Sequence, residues 1–239
     1  MKGLNYNELH LFGIDMIFND LNNYQNLIES FLEKQKQQVE KDFNESDIEA
    51  ESKKADENSD AYYLHLIDFY SERHHEIARL FPHNFRASFL TQTISVIESE
   101  LKKICDHFGN HKRQLFRIDD MKGTDDLEKC KDYLKRIAAV SFDDLNVHWQ
   151  YIKHCKGLRN KIVHQEGRVK ISDHSLVNFI RSCPSLEVEA RSLNSNDHIS
   201  FVIADKILID NLLTAARSFF IILLREKIVY SDEDESLNL

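Results

Sequence analysis

The stretch YIKHCKGLRNKIVHQEGRVK, Tyr151–Lys170, decides how this chain is read. Its apolar residues continue a stripe of Val147, Tyr151, Cys155, Leu158 and Ile162, spaced three or four apart as on one face of a helix. Ser141 stands ahead of this pattern and Gly167 behind it, so the spacing predicts a helix over about 143–166. Asn160 and His164 are four residues apart and share a face. The stripe is centred near Leu158, so that face turns away from the core. Arg159 lies about 140° round the helix from His164, with a side chain long enough to swing toward it. The same stretch carries six Lys/Arg against one acid, +5, in a chain whose formal charge is −9.

Outward from this segment the helical period continues in both directions. Only six glycines and two prolines interrupt 239 residues, which argues for long helices and against a loop-rich or Greek-key β protein. Residues 7 to about 40 predict a long amphipathic helix whose apolar positions are Leu9, Phe12, Met16, Leu21, Tyr24, Ile28, Phe31 and Val39. Residues 40–60 hold nine acids against three lysines and read as a solvated helix extension or an acidic linker. A second helix, capped by Asn58 or Ser59, uses Tyr63, Leu66, Phe69, Ile77 and Leu80, and Pro82 is expected to end it. A stronger helix opens at Asn84 or Phe85 with the stripe Phe89, Ile94, Ile97, Leu101, Ile104 and Phe108, and Gly109 stands where a C-cap belongs. Thr124 is expected to cap a helix over 125–140 with Leu127, Cys130, Leu134 and Ile137 inward.

Beyond Gly167 the texture changes. Ser172 or Asp173 caps a short helix with Leu176, Phe179 and Ile180, ended before Pro184. Leu186, Val188 and Ala190 alternate with polar residues, as do Ile199, Phe201 and Ile203, with Asn194–Asp197 between them as turn chemistry. That pattern predicts a β-hairpin inserted among helices. A last helix, 205 to about 229, places Leu208, Leu212, Ala215, Phe219 and Ile222 inward. The expected organisation is an N-terminal helical extension over 1–81, an all-α bundle with the small hairpin over 82–230, and a disordered acidic tail over 231–239.

Composition narrows the function classes. Cys105, Cys130, Cys155 and Cys183 form no CxxC pair, so neither a zinc knuckle nor a disulfide framework is signalled. The opening MKGLNYNELH has no basic region followed by an apolar run. The longest strongly apolar run, Phe219–Leu224, is far short of the roughly 20 residues that cross a bilayer. A cytoplasmic protein without a membrane segment is therefore expected. The acidic net charge argues against broad adhesion to nucleic acid, while leaving room for a local basic site.

That site is expected at Arg159-Asn160-x-x-x-His164. Imidazole titrates near neutrality and can take or give a proton. Arginine binds a phosphate through two parallel charge-assisted bonds and keeps its charge. Asparagine can orient the imidazole or a substrate oxygen. With a phosphodiester, this set suits attack by a ribose 2′-hydroxyl on its own phosphorus, which needs no metal. Acid–base help from the imidazole would be worth roughly 10²–10⁴ in rate, and the guanidinium would stabilise charge on the phosphoryl oxygens.

Arg159-Asn160-Lys161-Ile162-Val163-His164 resembles the Arg-x4-6-His motif of HEPN domains, with the Asn often found directly after the Arg. The Glu-rich preceding helix ISVIESELKKICDHF, the motif near a helix end and the long later helix are similar to the HEPN bundle over about 84–230. The resemblance implies a metal-independent endoribonuclease, homodimeric, in which two motifs form one composite site. It also implies a toxin or antiviral-defence role, with an antitoxin or regulatory protein as a further partner. On this reading Arg159, Asn160 and His164 are catalytic. Lys153, Lys156, Lys161, Arg168 and Lys170 bind RNA, and neither a metal nor another cofactor is implied. The family also contains members that keep the fold without activity. The alternative reading is therefore a non-catalytic module that binds RNA, a nucleotide or a protein. HEPN toxins silenced by a nucleotidyltransferase partner tend to carry Tyr two residues after the motif His, where this chain has Glu166.

Other candidates read more plainly. Arg168-x5-His174 fits the loose motif but lacks Asn and crosses the break after Gly167. Cys105, His107 and His111 suggest metal ligands on paper, yet Gly109 and Asn110 are expected to break the helix between the histidines, and no second ligand pair stands at standard spacing. His154 reads as a packed histidine, His74 and His75 as surface or cap residues, and Trp149 as core. Glu98 and Glu100 read as solvent-facing acids or, less simply, as partners of Arg159. Lys102, Lys103, Lys112, Arg113 and Arg117 form a second basic segment that reads equally as a solvated loop or an extension of an RNA path.

Overall fold

The computed structural model describes residues 5–46, 59–123, 125–189 and 197–228. Its helices are α1 (Tyr6–Glu45), α2 (Ser59–His75), α3 (Phe81–His111), α4 (Asp126–Arg136), α5 (Asn146–Gln165), α6 (His174–Ser182) and α7 (Ile207–Ile222). Three short strands, β1 (Arg168–Lys170), β2 (Leu186–Val188) and β3 (His198–Ile203), complete it. The chain is thus mostly helical with one small sheet.

The core is a bundle around α7, which packs on α1, α3 and α5. Leu208, Leu212, Ala216, Phe219 and Phe220 of α7 are fully buried. The α3 stripe forms as its spacing predicts, with Ile94, Ile97, Leu101 and Ile104 all solvent-excluded. Trp149 is core, set against Phe142 and Phe219 with ring centroids 5.6 and 5.7 Å away. One segment among the described residues, Ile207–Lys227, is long and apolar enough by composition to cross a membrane, and half of it is buried in the bundle.

Helix α1 belongs to this core, but of its expected inward positions only Leu21 and Val39 are buried. Leu11, Ile14, Phe18, Leu21 and Gln25 are buried, whereas Leu9, Phe12, Met16, Tyr24 and Phe31 are exposed. Asn7 anchors its start, donating from Nδ2 to the carbonyls of Leu224 and Ile228 at 2.7 Å each. Asn5 caps it by accepting from the Glu8 N–H at 3.0 Å.

Pro82 does not end a helix. Helices α2 and α3 are joined by a π-helical turn, Glu76–Leu80, whose wide register lets the Phe81 N–H reach the Glu76 carbonyl. A proline lacks the N–H and crowds the carbonyl four residues back, and a π turn just ahead of it relieves that conflict. The helical rod therefore continues across residues 81 and 82. Gly109 is not a C-cap either. Helix α3 runs on to His111, and the residue that turns left-handed is Arg113, at φ 48°. Gly109 lies in close packing: a Cβ there would lie 2.7 Å from the Tyr133 hydroxyl and 2.9 Å from Arg117 Nη1, so one of them would have to shift.

Helix α4 is shorter than expected, stopping at Arg136, and Asp125 is its cap, accepting from the Glu128 N–H at 3.0 Å. Thr124 lies outside the described residues, as do most of the acidic 40–60 stretch, the hairpin turn before Asp197 and the 231–239 tail. Asp173 caps α6, as its position predicts. The hairpin strands β2 and β3 pair antiparallel, with Leu186 opposite Ile203. A strand the spacing does not announce, β1, joins on the other side of β3, with Arg168 opposite Ser200 and the order β1-β3-β2.

Candidate functional site

The Arg159–His164 segment occupies the C-terminal end of α5. The helix stops because Glu166 (φ 52°) and Gly167 (φ 73°) both turn left-handed, and the Gly167 N–H bonds back to the Lys161 carbonyl at 3.0 Å. The chain then enters β1 and is pinned by β3. The last turn of α5 is thereby held from both sides, by α3 behind it and by the sheet ahead of it.

Arg159, Asn160 and His164 line one open cleft of about 380 Å³, together with Lys156, Lys161, Glu98, Asp125 and Asp126. His164 is exposed. Arg159 donates from Nη1 to Asn160 Oδ1 at 3.0 Å. The asparagine thus orients the arginine; its amide oxygen does not face the imidazole as an acceptor. The Arg159 Nε–H is buried and has no hydrogen-bond partner among the described residues. A buried guanidinium donor without an acceptor is costly unless an anion completes it.

The cations assigned to RNA meet different fates. Lys156 is buried at 7% exposure, its Nζ 2.5 Å from Glu98 Oε1 and 2.8 Å from Asp125 Oδ1. Burial alone would lower its pKa, but the hydrogen bonds to Asp125 and Glu98 prevail and hold it above the ordinary value. An ammonium so enclosed has no surface left for a phosphate. Lys153 pairs with Glu128 at 2.8 Å, Lys161 lies 3.8 Å from Asp173, and Arg168 lies 3.2 Å from Glu166. Lys170 is exposed on β1. The local +5 of the sequence, which already counts Glu166, is therefore largely compensated in space by Glu128, Glu98, Asp125 and Asp173, 12 to 58 residues away along the chain.

The remaining candidates separate cleanly. Glu98 faces the cleft and takes Lys156, not Arg159. Glu100 is not solvent-facing. It is buried, accepts from His10 Nε2 at 2.9 Å, and pairs with Lys103 at 2.6 Å. The helix between His107 and His111 is unbroken, and the two rings stack at 6.0 Å, with Tyr6 stacked on His107 at 3.3 Å. The Cys105 thiol approaches the Cys130 carbonyl at 3.9 Å. No group of three metal-binding side chains is found among the described residues. His154 is packed as expected, stacked on Phe179 at 4.6 Å with Nε2 3.2 Å from Ser175 Oγ. His74 and His75 are at the surface. In the second basic segment Lys102 pairs with Asp119 at 2.8 Å. Arg168 and His174 stand on different elements, β1 and α6, and His174 is absent from the cleft. What spacing could not supply are Asp125 and Asp126, brought to the cleft by the start of α4.

No protein-family model, no curated protein and no solved structure matches this chain.

Proposed function

We propose that this chain is a metal-independent endoribonuclease of the HEPN type. The observation that carries the reading is the convergence of Arg159, Asn160 and His164 on one open cleft, with a buried Arg159 N–H that lacks an acceptor. In the reaction, a ribose 2′-oxygen bonds to the adjacent phosphorus while the bond to the 5′-oxygen breaks. The products are a 2′,3′-cyclic phosphate and a 5′-hydroxyl. One proton leaves the 2′-hydroxyl and one reaches the departing 5′-oxygen. His164 carries one of these transfers, Arg159 binds the non-bridging oxygens, and Asn160 holds the guanidinium in place. A homodimer with paired motifs would supply the second imidazole. A toxin or antiviral-defence role, restrained by an antitoxin or regulatory protein, belongs to the same proposal.

A second reading has its own support. Because most lysines of the segment are paired with acids, the cleft suits a ligand presenting one phosphate better than a long RNA backbone. A nucleotide-binding module without turnover would use the same residues.

The test is cleavage of total cellular RNA in EDTA by wild-type protein beside His164→Ala, matched by circular dichroism. Cutting by wild type alone, leaving cyclic phosphate ends, supports the nuclease. Binding of a nucleotide by both proteins with cutting by neither supports the module and sinks the nuclease.

A further inference from the structure

Three carboxylates, Glu98, Asp125 and Asp126, share the cleft with Arg159. A guanidinium beside a carboxylate normally takes it in a bidentate pair. Arg159 takes none of the three: its hydrogen-bond partner among the described residues is the neutral Asn160, and its Nε–H has none. For Glu98 and Asp125 the reason lies one helical turn earlier, while Asp126 lies 3.7 Å from Lys129. Lys156 draws Glu98 from α3 and Asp125 from the N-cap of α4 onto a single ammonium, at 2.5 and 2.8 Å. Asp125 is held twice, since it also accepts the Glu128 N–H. Both carboxylates are thereby committed.

We infer that Lys156 is a positioning residue that keeps Glu98 and Asp125 off Arg159, leaving the guanidinium open to a phosphate. This rests on Arg159 being the phosphate ligand of the proposed site. Removing the Lys156 charge would strand two carboxylates beside an arginine with a vacant donor. A buried charge without a partner is strongly disfavoured, so Glu98 would turn to Arg159 and occupy the place of the phosphate. Lys156 therefore acts without touching substrate, by controlling which anion the arginine can meet. The arrangement also joins the motif helix to α3 and α4 at the floor of the cleft.

The experiment reads the Arg159 Nε–H resonance in ¹⁵N-labelled protein, assigned by its disappearance in Arg159→Lys. It compares wild type, Lys156→Met, Lys156→Gln, Lys156→Arg and the triple variant Lys156→Met/Glu98→Gln/Asp125→Asn, without and with inorganic phosphate. Lys156→Gln keeps a donor for one carboxylate if the methionine variant fails to fold. The triple variant removes the stranded charges and keeps a capping side chain at position 125. Expected without phosphate is a displaced Arg159 resonance in the Met and Gln variants, with the wild-type position in Lys156→Arg and in the triple variant. Expected with phosphate is binding at least about tenfold weaker in the Met and Gln variants, in line with loss of a charged hydrogen bond, and its recovery in the triple variant. RNA cleavage should follow as a raised KM with kcat little changed.

An undisplaced resonance in both Lys156→Met and Lys156→Gln overturns the inference, whatever the enzyme does. A displaced resonance that returns in the triple variant supports the masking of Arg159 even if wild type ignores phosphate. In that case it is the phosphate role of Arg159, and with it the nuclease reading, that falls.

Discussion

The Arg159 guanidinium donates to the side-chain oxygen of its own neighbour, Asn160, at 3.0 Å. Adjacent residues on a helix point about 100° apart, so the bond is made by the arginine folding back toward the face that Asn160 and His164 share. Asn160→Ala should therefore release the guanidinium without disturbing the fold. The lost hydrogen bond is worth about 1 kcal/mol, which corresponds to a cleavage rate about five- to tenfold lower at limiting RNA, with a melting temperature lowered by no more than about 2–4 °C. Asn160→Asp would instead lock Arg159 in an ion pair and should cut more deeply. Equal, full activity in both variants would remove Asn160 from the site.

Phe18 tests whether the N-terminal helix is part of the folding unit. It is fully buried, with its ring 6.1 Å from that of Phe220 in the central helix. Phe18→Ala should cost about 3–5 kcal/mol, read as a shifted denaturant midpoint of one cooperative transition. Phe12→Ala, on the exposed face of the same helix, should change stability by no more than about 0.5 kcal/mol. Similar effects at the two positions would mean that α1 is docked by another face.

Gly109→Ala gives a result opposite to helix propensity. In an open helix this change stabilises by about 1 kcal/mol. Here the new methyl meets the Tyr133 hydroxyl at 2.7 Å, and Tyr133 is fully buried. Overpacking of this kind costs about 1–3 kcal/mol, so the variant should melt lower than wild type. A higher melting temperature would show that Tyr133 and Arg117 can move aside.

His83 should make stability fall in mild acid. Its Nδ1 accepts the Ile203 N–H at 3.0 Å, tying α3 to β3, which requires a neutral ring with its proton on Nε2. Burial lowers its pKa below the usual 6.5, and Arg86 and Arg79 add to this against the pull of Glu189. The unfolded chain therefore binds the proton more readily. The stabilisation is complete above about pH 6.5 and is lost as pH falls from there through the lower folded-state pKa. His107 and His154 are also shifted downward, chiefly by burial, so His83→Gln should flatten the profile only in part. Thermal melts at pH 8, 7, 6 and 5 would show it; identical slopes for the two proteins would exclude His83.

The α3 stripe was legible because every strongly apolar residue from Phe89 to Phe108 falls on one face, and a helix with a single greasy side has one way to pack. The docked face of α1 is not legible in the sequence, for the converse reason. Its apolar residues lie on two faces, and nothing local separates Leu9, Phe12 and Met16 from Leu11, Ile14 and Phe18. Pro82 and Gly109 do not act here as the helix punctuation their residue types suggest. Pro82 is absorbed by a π turn, and Gly109 answers to Tyr133, which sits 24 residues later. Strand β1 escaped notice because three residues carry no period; it exists only because β3 offers it an edge.

The motif divides in the same way. That Arg159, Asn160 and His164 gather at one helix end follows from spacing alone, since the helical period is set by backbone geometry and holds in any tertiary context. Which of the surrounding charges remain available does not follow from spacing. Lys153, Lys156, Lys161 and Arg168 form a basic island along the chain, but folding brings Glu128, Glu98, Asp125, Asp173 and Glu166 against them. Coulomb attraction acts through space, not along the chain, and is largely screened beyond about 10 Å in ordinary salt. Its outcome therefore belongs to the tertiary structure, which commits the carboxylates to Lys156 and leaves one arginine donor without a partner.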